Sequence, residues 1–408
     1  MSEENQKKST LIDWDSRYAG RVPYLKSSAI RDLLTLTNQP GIISLAGGLP
    51  APEAFPVTEI KAAFNEVLEK ESTKALQYGT TEGYIPLKEY LCESMRKYGV
   101  PAEVGNVIIT NGAQQGLDMV GRLFVDEKTV VCTEGPTYLG ALQTWTFHGA
   151  KYCTVPIDKE GMRTDLLPEL FRQHHFKFIY ALPNFQNPGG VTMSLERRQE
   201  LANFAQKYGV FIIEDDPYGN LRYEGKDVAP IVSLAKDNTF YLGTVSKTLA
   251  PGLRCAWVVA PEAVISKNVL AKQSSDLFTS MLLQMAVHKI YTSGMLKDHV
   301  ANVRVLYKER RDAMLTAMDK HMPKDVIWTR PEGGLFLWVT VPSIVNTTEI
   351  FEKAIENGVA YVPGVAFYPN KVEDGLHTMR LNFSYNNPEK NEEGIKRLAK
   401  VLKEAVAK

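Results

Sequence analysis

Two periods alternate along this chain of 408 residues. Within 61–70, Phe64, Val67 and Leu68 recur at helical spacing, and 85–98 continues in the same manner. From Asn106 onward, short β-rich runs at 107–110, 129–132, 151–155, 176–181, 210–214, 239–243 and 255–260 are separated by helical stretches. Those stretches carry apolar stripes, such as Leu117, Val120, Gly121 and Phe124, or Leu201, Phe204, Ala205 and Tyr208 at i, i+3, i+4, i+7. Strand and helix in regular alternation predict an α/β fold: a large domain with a seven-stranded, mostly parallel sheet covered by helices. Its ligand site is expected beyond the carboxyl ends of the strands. After Ala260 helical patterns dominate to about Met322, then strand runs at 334–341 and 379–383 precede a final helix at 392–407. Ile395, Leu398, Ala399, Leu402 and Val406 give that helix one apolar face. This predicts a smaller α+β domain, formed by the N- and C-terminal segments.

The organisation expected from these patterns is an N-terminal arm (1–40), a connector joining the small domain (41–60), a large domain (61–305) and a small C-terminal domain (306–408). The arm bears Trp14, Tyr18 and Tyr24 and a short amphipathic stretch at 28–36, features that suit packing on a neighbour. The connector GIISLAGGLPAPEAFP holds Gly47-Gly48 and three prolines after a short strand run, which rules out a helix.

Composition narrows the classes. A chain 44% hydrophobic and 23% charged is an ordinary globular protein, long enough for a large core. Lys plus Arg and Asp plus Glu balance at 47 each, so no net field draws in nucleic acid or an anionic membrane. Cys92, Cys132, Cys153 and Cys255 lack metal-ligand spacing and sit mostly in apolar strand-like runs, as expected of buried thiols in a reducing compartment. The polar start MSEENQKKST is followed by no apolar segment, and no run is long enough to span a bilayer, so a soluble cytoplasmic protein is expected.

The candidate chemistry clusters just after strand ends. GTVSKTLAPGLR follows the run at 239–243 and sets Lys247 among Thr244, Ser246, Gly252 and Arg254. A lysine amine with a lowered pKa attacks aldehydes, and Schiff-base chemistry with pyridoxal phosphate is its usual employment. The flanking hydroxyls and the arginine suit a phosphate. Alone, this lysine reads more readily as an exposed loop residue, and the other stations along the chain overturn that reading. NGAQQG, after 107–110, places the backbone N–H groups of Ala113 and Gln114 at a helix N-terminus, an anion site or an ordinary cap. EGPTY brings Tyr138, an aromatic for stacking on a bound ring or for the core. LPNFQNPGG brings Asn187, a donor to a phenolic oxygen or part of a plain turn. EDDPY ends a buried strand with Asp215, costly there unless a cation or donor meets it; a protonated pyridine nitrogen is such a partner, and Tyr218 follows within reach of a ring hydroxyl.

These stations in this order, with ISLAGGLPAPEAFP, LQYGTTEGYIPL, PEGGLFLW and MRLNFSY, resemble the fold-type I pyridoxal-phosphate aminotransferases of class I/II, more narrowly the branch of 2-aminoadipate, kynurenine and aromatic aminotransferases. The resemblance runs from about Ser28 to the C-terminus. It implies pyridoxal 5'-phosphate as cofactor and no metal. Lys247 matches the Schiff-base lysine, Asp215 the partner of the ring nitrogen, Asn187 and Tyr218 the partners of the ring oxygen, and Tyr138 the stacking tyrosine. The phosphate cup maps to Ala113, Gln114, Thr244, Ser246 and Arg254, with Tyr78 contributed by the other subunit of a homodimer. Arg380 matches the arginine that grips the substrate α-carboxylate, Gly48 the backbone lining the substrate, and Arg31 the arginine that meets a distal carboxylate. Two departures stand out: Ala113 replaces a hydroxyl residue common among relatives, and Pro188-Gly-Gly190 replaces Pro-Thr-Gly.

The reaction implied is ping-pong transamination through a Lys247 aldimine, between an L-amino acid (2-aminoadipate, aromatic or aliphatic) and a 2-oxo acid, with 2-oxoglutarate as the expected acceptor. Two other readings stand beside it. One is another enzyme of the same fold, a β-lyase or a decarboxylase, although Arg380 favours keeping the α-carboxylate. The other is a transcription regulator with an aminotransferase-like domain, which would need a DNA-binding domain ahead of ISLAGG, where the roughly forty residues show no helix-turn-helix pattern.

Overall fold

A computed structural model describes residues 12–25, 40–370 and 372–407. Arg31 and the stretch 28–36 lie outside the described residues. A two-residue strand, β1 (Ile43–Ser44), precedes a single large sheet built from β2 (Val107–Thr110), β3 (Val130–Gly135), β4 (Lys151–Asp158), β5 (Gly161–Met162), β6 (Phe178–Ala181), β7 (Phe211–Asp216), β8 (Thr239–Thr244) and β9 (Ala256–Val259). Their spatial order is β2-β9-β8-β7-β6-β3-β4-β5. The run β4-β3-β6-β7-β8 is parallel, while β9 lies antiparallel between β8 and β2.

All seven expected runs are strands. The eighth, β5, is a two-residue antiparallel return on β4, paired Ile157 with Met162 and Asp158 with Gly161. Two residues are too few to show a period, so pattern alone could not reveal it.

The buried strands sort their side chains by the two-residue period. In β6, Phe178 and Tyr180 join one apolar cluster with Ile108, Leu117, Trp145, Ile213 and Leu242. Ile179 and Ala181 join another on the opposite face with Cys132, Leu201, Phe204 and Ile212. The helices Ala113–Phe124 and Leu139–Phe147 supply the first cluster, and Leu195–Tyr208 the second. A sheet covered on both faces is what near-continuous apolar strands require. All four cysteines are buried.

The chain leaves β3 toward β4 on one side, then crosses back to β6 on the other. The β3–β6 seam is therefore a switch point, where the divergence of successive loops opens a crevice at the carboxyl ends of the strands.

A second, four-stranded antiparallel sheet follows. In it β10 (Ile327–Trp328) pairs with β11 (Phe336–Thr340), and β11 and β13 (Val362–Pro363) flank β14 (Thr378–Asn382); β12 (Val359–Ala360) pairs in parallel with β1 in a separate two-stranded sheet. Leu45 and Ala51 from the N-terminal side share a core with Tyr307, Met314, Leu337, Leu381, Ile395, Leu398 and Leu402. The small α+β unit thus draws on both ends of the chain. Its long helix, Met295–His321, continues unbroken through residues 305 and 306. Among the described residues no helix is long and apolar enough to cross a membrane.

Candidate active site

The lysine loop begins where β8 ends at Thr244. The Ser246 N–H donates to Thr244 Oγ1 at 3.1 Å, and the Thr244 hydroxyl lies 3.2 Å from the Cys255 carbonyl, so the loop folds back on the start of β9. Lys247 then projects into the crevice, where its Nζ donates to the Gly48 carbonyl at 2.8 Å. Withdrawal from water, with Arg380 and Arg254 adding positive charge, lowers the Lys247 pKa to about 8. A neutral amine is thereby accessible well below the ordinary lysine range.

The end of β7 presents three consecutive carboxylates, and the strand period separates them. Glu214 turns to one face, where Ile231 and Val232 N–H groups each donate to it at 2.8 Å; burial raises its pKa to about 7. Asp216 accepts from Asn184 Nδ2 at 2.9 Å, Gly219 N–H at 2.9 Å and the Tyr241 hydroxyl at 3.1 Å. Asp215 alone faces the crevice side. Its Oδ2 accepts from the Tyr180 hydroxyl at 2.8 Å, while its Oδ1 is buried with no partner among the described residues. Burial pushes the Asp215 pKa up to about 7 against the lowering pull of the Tyr180 bond.

Arg380, on β14, closes the crevice from the small sheet. Its Nη1 donates to Asn187 Oδ1 at 2.9 Å and its Nη2 to the Ala46 carbonyl at 2.7 Å. The guanidinium lies over the Phe336 ring at 4.3 Å and the Phe367 ring at 5.0 Å, a cation–π cradle that holds its plane. Burial lowers its pKa to about 10, and it stays charged at neutral pH. Burial raises the Tyr218 pKa above the ordinary range, and the Asn187 side chain beside it works in the opposite direction. Burial raises the Tyr138 pKa too, and the ring folds back over Gly140, where a Cβ would fall 2.6 Å from its edge.

On the far side of the lysine, Gly112 takes φ 81°, a conformation open to glycine, and turns the chain from β2 into the helix Ala113–Phe124. The Arg254 guanidinium packs against Gly112 where a Cβ would stand and reaches toward the Asn111 carbonyl at 3.4 Å. Arg254, next to Cys255 of the loop that holds Thr244 and Ser246, thus packs on the turn that leads into the first-turn N–H groups of Ala113 and Gln114, bringing together donors of the kind an anion needs. The Gln114 side chain itself turns away, donating to Thr144 Oγ1 at 2.5 Å.

The family model for aminotransferases of class I and II matches residues 40–398. The chain belongs to this family. It is 45% identical over 404 residues to an aromatic-amino-acid aminotransferase of Thermococcus litoralis, covering 97% of this chain and 96% of that protein. Two solved structures superpose closely. The kynurenine aminotransferase of Pyrococcus horikoshii, in complex with PMP, is 43% identical with a TM-score of 0.93 over 97% of this chain and 99% of that one. An alpha-aminoadipate aminotransferase of Thermus thermophilus, complexed with N-(5'-phosphopyridoxyl)-L-leucine, is 38% identical with a TM-score of 0.90 over 97% and 100%. The protein is thus an aminotransferase.

Of the residues singled out in the sequence, the aminotransferase fold gathers Lys247, Gly48, Asp215, Asn187, Tyr218, Tyr138 and Arg380 around one crevice, with Ala113, Gln114, Thr244, Ser246 and Arg254 at its rim. Tyr78 stands apart: it is 76% exposed, and its ring meets the edge of Phe278 at 5.6 Å between ring centroids. Tyr180, the Ala46 carbonyl, Phe336 and Phe367 were missed. Tyr180 had a readable signal, a hydroxyl in the otherwise wholly apolar buried run FIYA, since a buried phenol needs a partner.

Proposed function

We propose that this aminotransferase uses pyridoxal 5'-phosphate to exchange an amino group, by a ping-pong route, between an L-amino acid with a 2-aminoadipate, aromatic or aliphatic side chain and a 2-oxo acid, 2-oxoglutarate being the expected acceptor. The observation that carries the reading is the pairing, in one crevice, of a buried carboxylate oxygen without a partner, Asp215 Oδ1, with a lysine amine whose pKa is lowered to about 8. A carboxylate left open there is costly unless a cation fills the place, and a pyridinium N–H fits it. The donor rim at the opposite side of Lys247 fits a phosphate.

When bound, pyridoxal phosphate supplies an aldehyde that condenses with amines and a cationic ring that takes up electrons released at the substrate Cα. Asp215 Oδ1 would hold the ring N–H and keep it protonated. Tyr138 would stack on the ring, Asn187 and Tyr218 would meet its oxygen, and Arg254, Thr244, Ser246 and the N–H groups of Ala113 and Gln114 would hold the phosphate. Lys247 Nζ would anchor the aldehyde carbon and, once displaced, carry the proton from substrate Cα. Arg380 would exchange its present acceptors for the α-carboxylate in a two-bond grip, with Gly48 lining the substrate and Arg31 meeting a distal carboxylate.

We place the enzyme in the cytoplasm as a homodimer, with no membrane or nucleic-acid partner, and divide it into the arm, connector, large and small domains at 40, 60 and 305. Exposed Leu76, Tyr78 and Leu277 support the dimer, since they offer an apolar face beside the ring that would reach the neighbour's phosphate. Sedimentation of the active enzyme should show a dimer, and Tyr78→Phe should weaken cofactor affinity; a fully active monomer at assay concentration would contradict both.

A panel of amino donors with 2-oxoglutarate, scored by kcat/KM in the presence of pyridoxal phosphate, tests the reaction. No turnover of any donor would refute it. Arg380→Lys keeps a charge but not the planar fork, so kcat/KM should fall about 10- to 100-fold, the scale of a charge-assisted hydrogen bond. Values within twofold of wild type for every donor would remove Arg380 from carboxylate binding.

A further inference from the structure

The side chain behind Asp215 has a stricter geometry than a core tyrosine needs. Tyr180 sits in β6 in register with Ile213 of β7, so its ring shares a face with Asp215, two residues further along. The ring is fully buried, and its hydroxyl donates to Asp215 Oδ2 at 2.8 Å. That ring is held from behind. Trp145 meets it edge-on, with centroids 5.0 Å apart at 88°, and meets Phe178 in the same way at 5.2 Å and 82°. The Trp145 indole N–H is fixed by the Leu117 carbonyl at 2.9 Å. A path of hydrogen bond, ring edge and hydrogen bond therefore runs from the helix Ala113–Phe124 to one oxygen of Asp215. The other oxygen, Oδ1, has no partner among the described residues.

We propose that Tyr180 is a positioning residue: it occupies Asp215 Oδ2 with its single donor, which favours the ionised carboxylate and leaves Oδ1 alone to face a ring nitrogen. This rests on the cofactor reading above. The physical argument is one of unequal oxygens. A buried carboxylate with no hydrogen bond takes up a proton, and a protonated carboxyl no longer favours a cationic partner. Burial is what raises the Asp215 pKa, Asp216 adds to the rise, and the Tyr180 bond is what opposes them. Tyr180 remains the donor throughout, because burial and the Asp215 charge hold its own pKa well above the ordinary range. A phenol suits this post better than an amide or a second cation, since it brings one proton, no charge and a flat ring that fills the core between Trp145 and the sheet.

Tyr180→Phe deletes only the hydroxyl and keeps the ring contact with Trp145. The test measures dissociation constants of the cofactor-free, full-length chain for pyridoxal phosphate and for its analogue with a CH in place of the ring nitrogen, in wild type and variant. The ratio of the two constants cancels any loss of packing, because packing affects both ligands alike. Wild type should prefer pyridoxal phosphate, and Tyr180→Phe should narrow that preference about tenfold or more, as expected when a hydrogen bond to a charged group is lost. A variant with the full wild-type preference would overturn the role of Tyr180 while leaving the cofactor reading intact. A wild type that binds neither ligand, or shows no preference between them, would overturn the cofactor's pairing with Asp215 and the role of Tyr180 together.

Discussion

Lys247→Ala should abolish transamination, with turnover down by at least about 10³-fold, because one amine would both anchor the cofactor and move the proton. Among the described residues no other lysine donates to the Gly48 carbonyl. The candidate amine is defined by its contact with the Gly48 carbonyl and by burial that lowers its pKa, with two arginines adding to the effect, and among the described residues those conditions meet at one position. Wild type treated with borohydride should carry cofactor covalently on a peptide containing Lys247, and the variant should not. Retained attachment with near-normal turnover would refute the assignment. The lowered pKa adds a pH test in the cofactor-free chain. The neutral, nucleophilic form of Lys247 should grow in as pH rises through about 8, instead of near the ordinary 10.5, so amine-directed labelling of Lys247 should fall below pH 8 and level off above it. A midpoint above pH 10 would show that the site does not activate this lysine.

Asp215→Asn should leave the fold intact and lower kcat on the order of 10²-fold or more, the scale of losing a preorganised electrostatic partner. The amide is isosteric with the carboxylate, and its oxygen can still accept from the Tyr180 hydroxyl, so a change in melting temperature should be small. What disappears is the negative charge at Oδ1 that would keep a ring nitrogen protonated. Unchanged kcat in the variant would strip Asp215 of this role. Asp216 would be a poor understudy, since its carboxylate already accepts from Asn184, the Gly219 N–H and Tyr241 on the opposite face.

The two cases show where the legible part of this protein ends. Strand runs, helical stripes and loop chemistry were readable because each is a local pattern: a period of two or 3.6 residues shows within a dozen positions. The seven long strands, the helices between them and the position of Lys247 and Asn187 in loops beyond strand ends followed from that, whereas Asp215, read as following its strand, is paired within β7; the set of motifs pointed to the aminotransferase family. Tertiary structure decided what depends on pairing across the chain. Glu214, Asp215 and Asp216 all bring a carboxylate in the sequence, and the sheet sets Asp215 on one face with Glu214 and Asp216 on the other. Tyr180 meets Asp215 across 35 residues and Arg380 meets Asn187 across 193, distances at which no window carries a signal. The Gln114 side chain was drawn off to Thr144, and Tyr78 was left facing outward beside Phe278. A period tells which face a side chain takes, but what stands opposite that face is set by strand order and register, and those are fixed only when the whole chain packs.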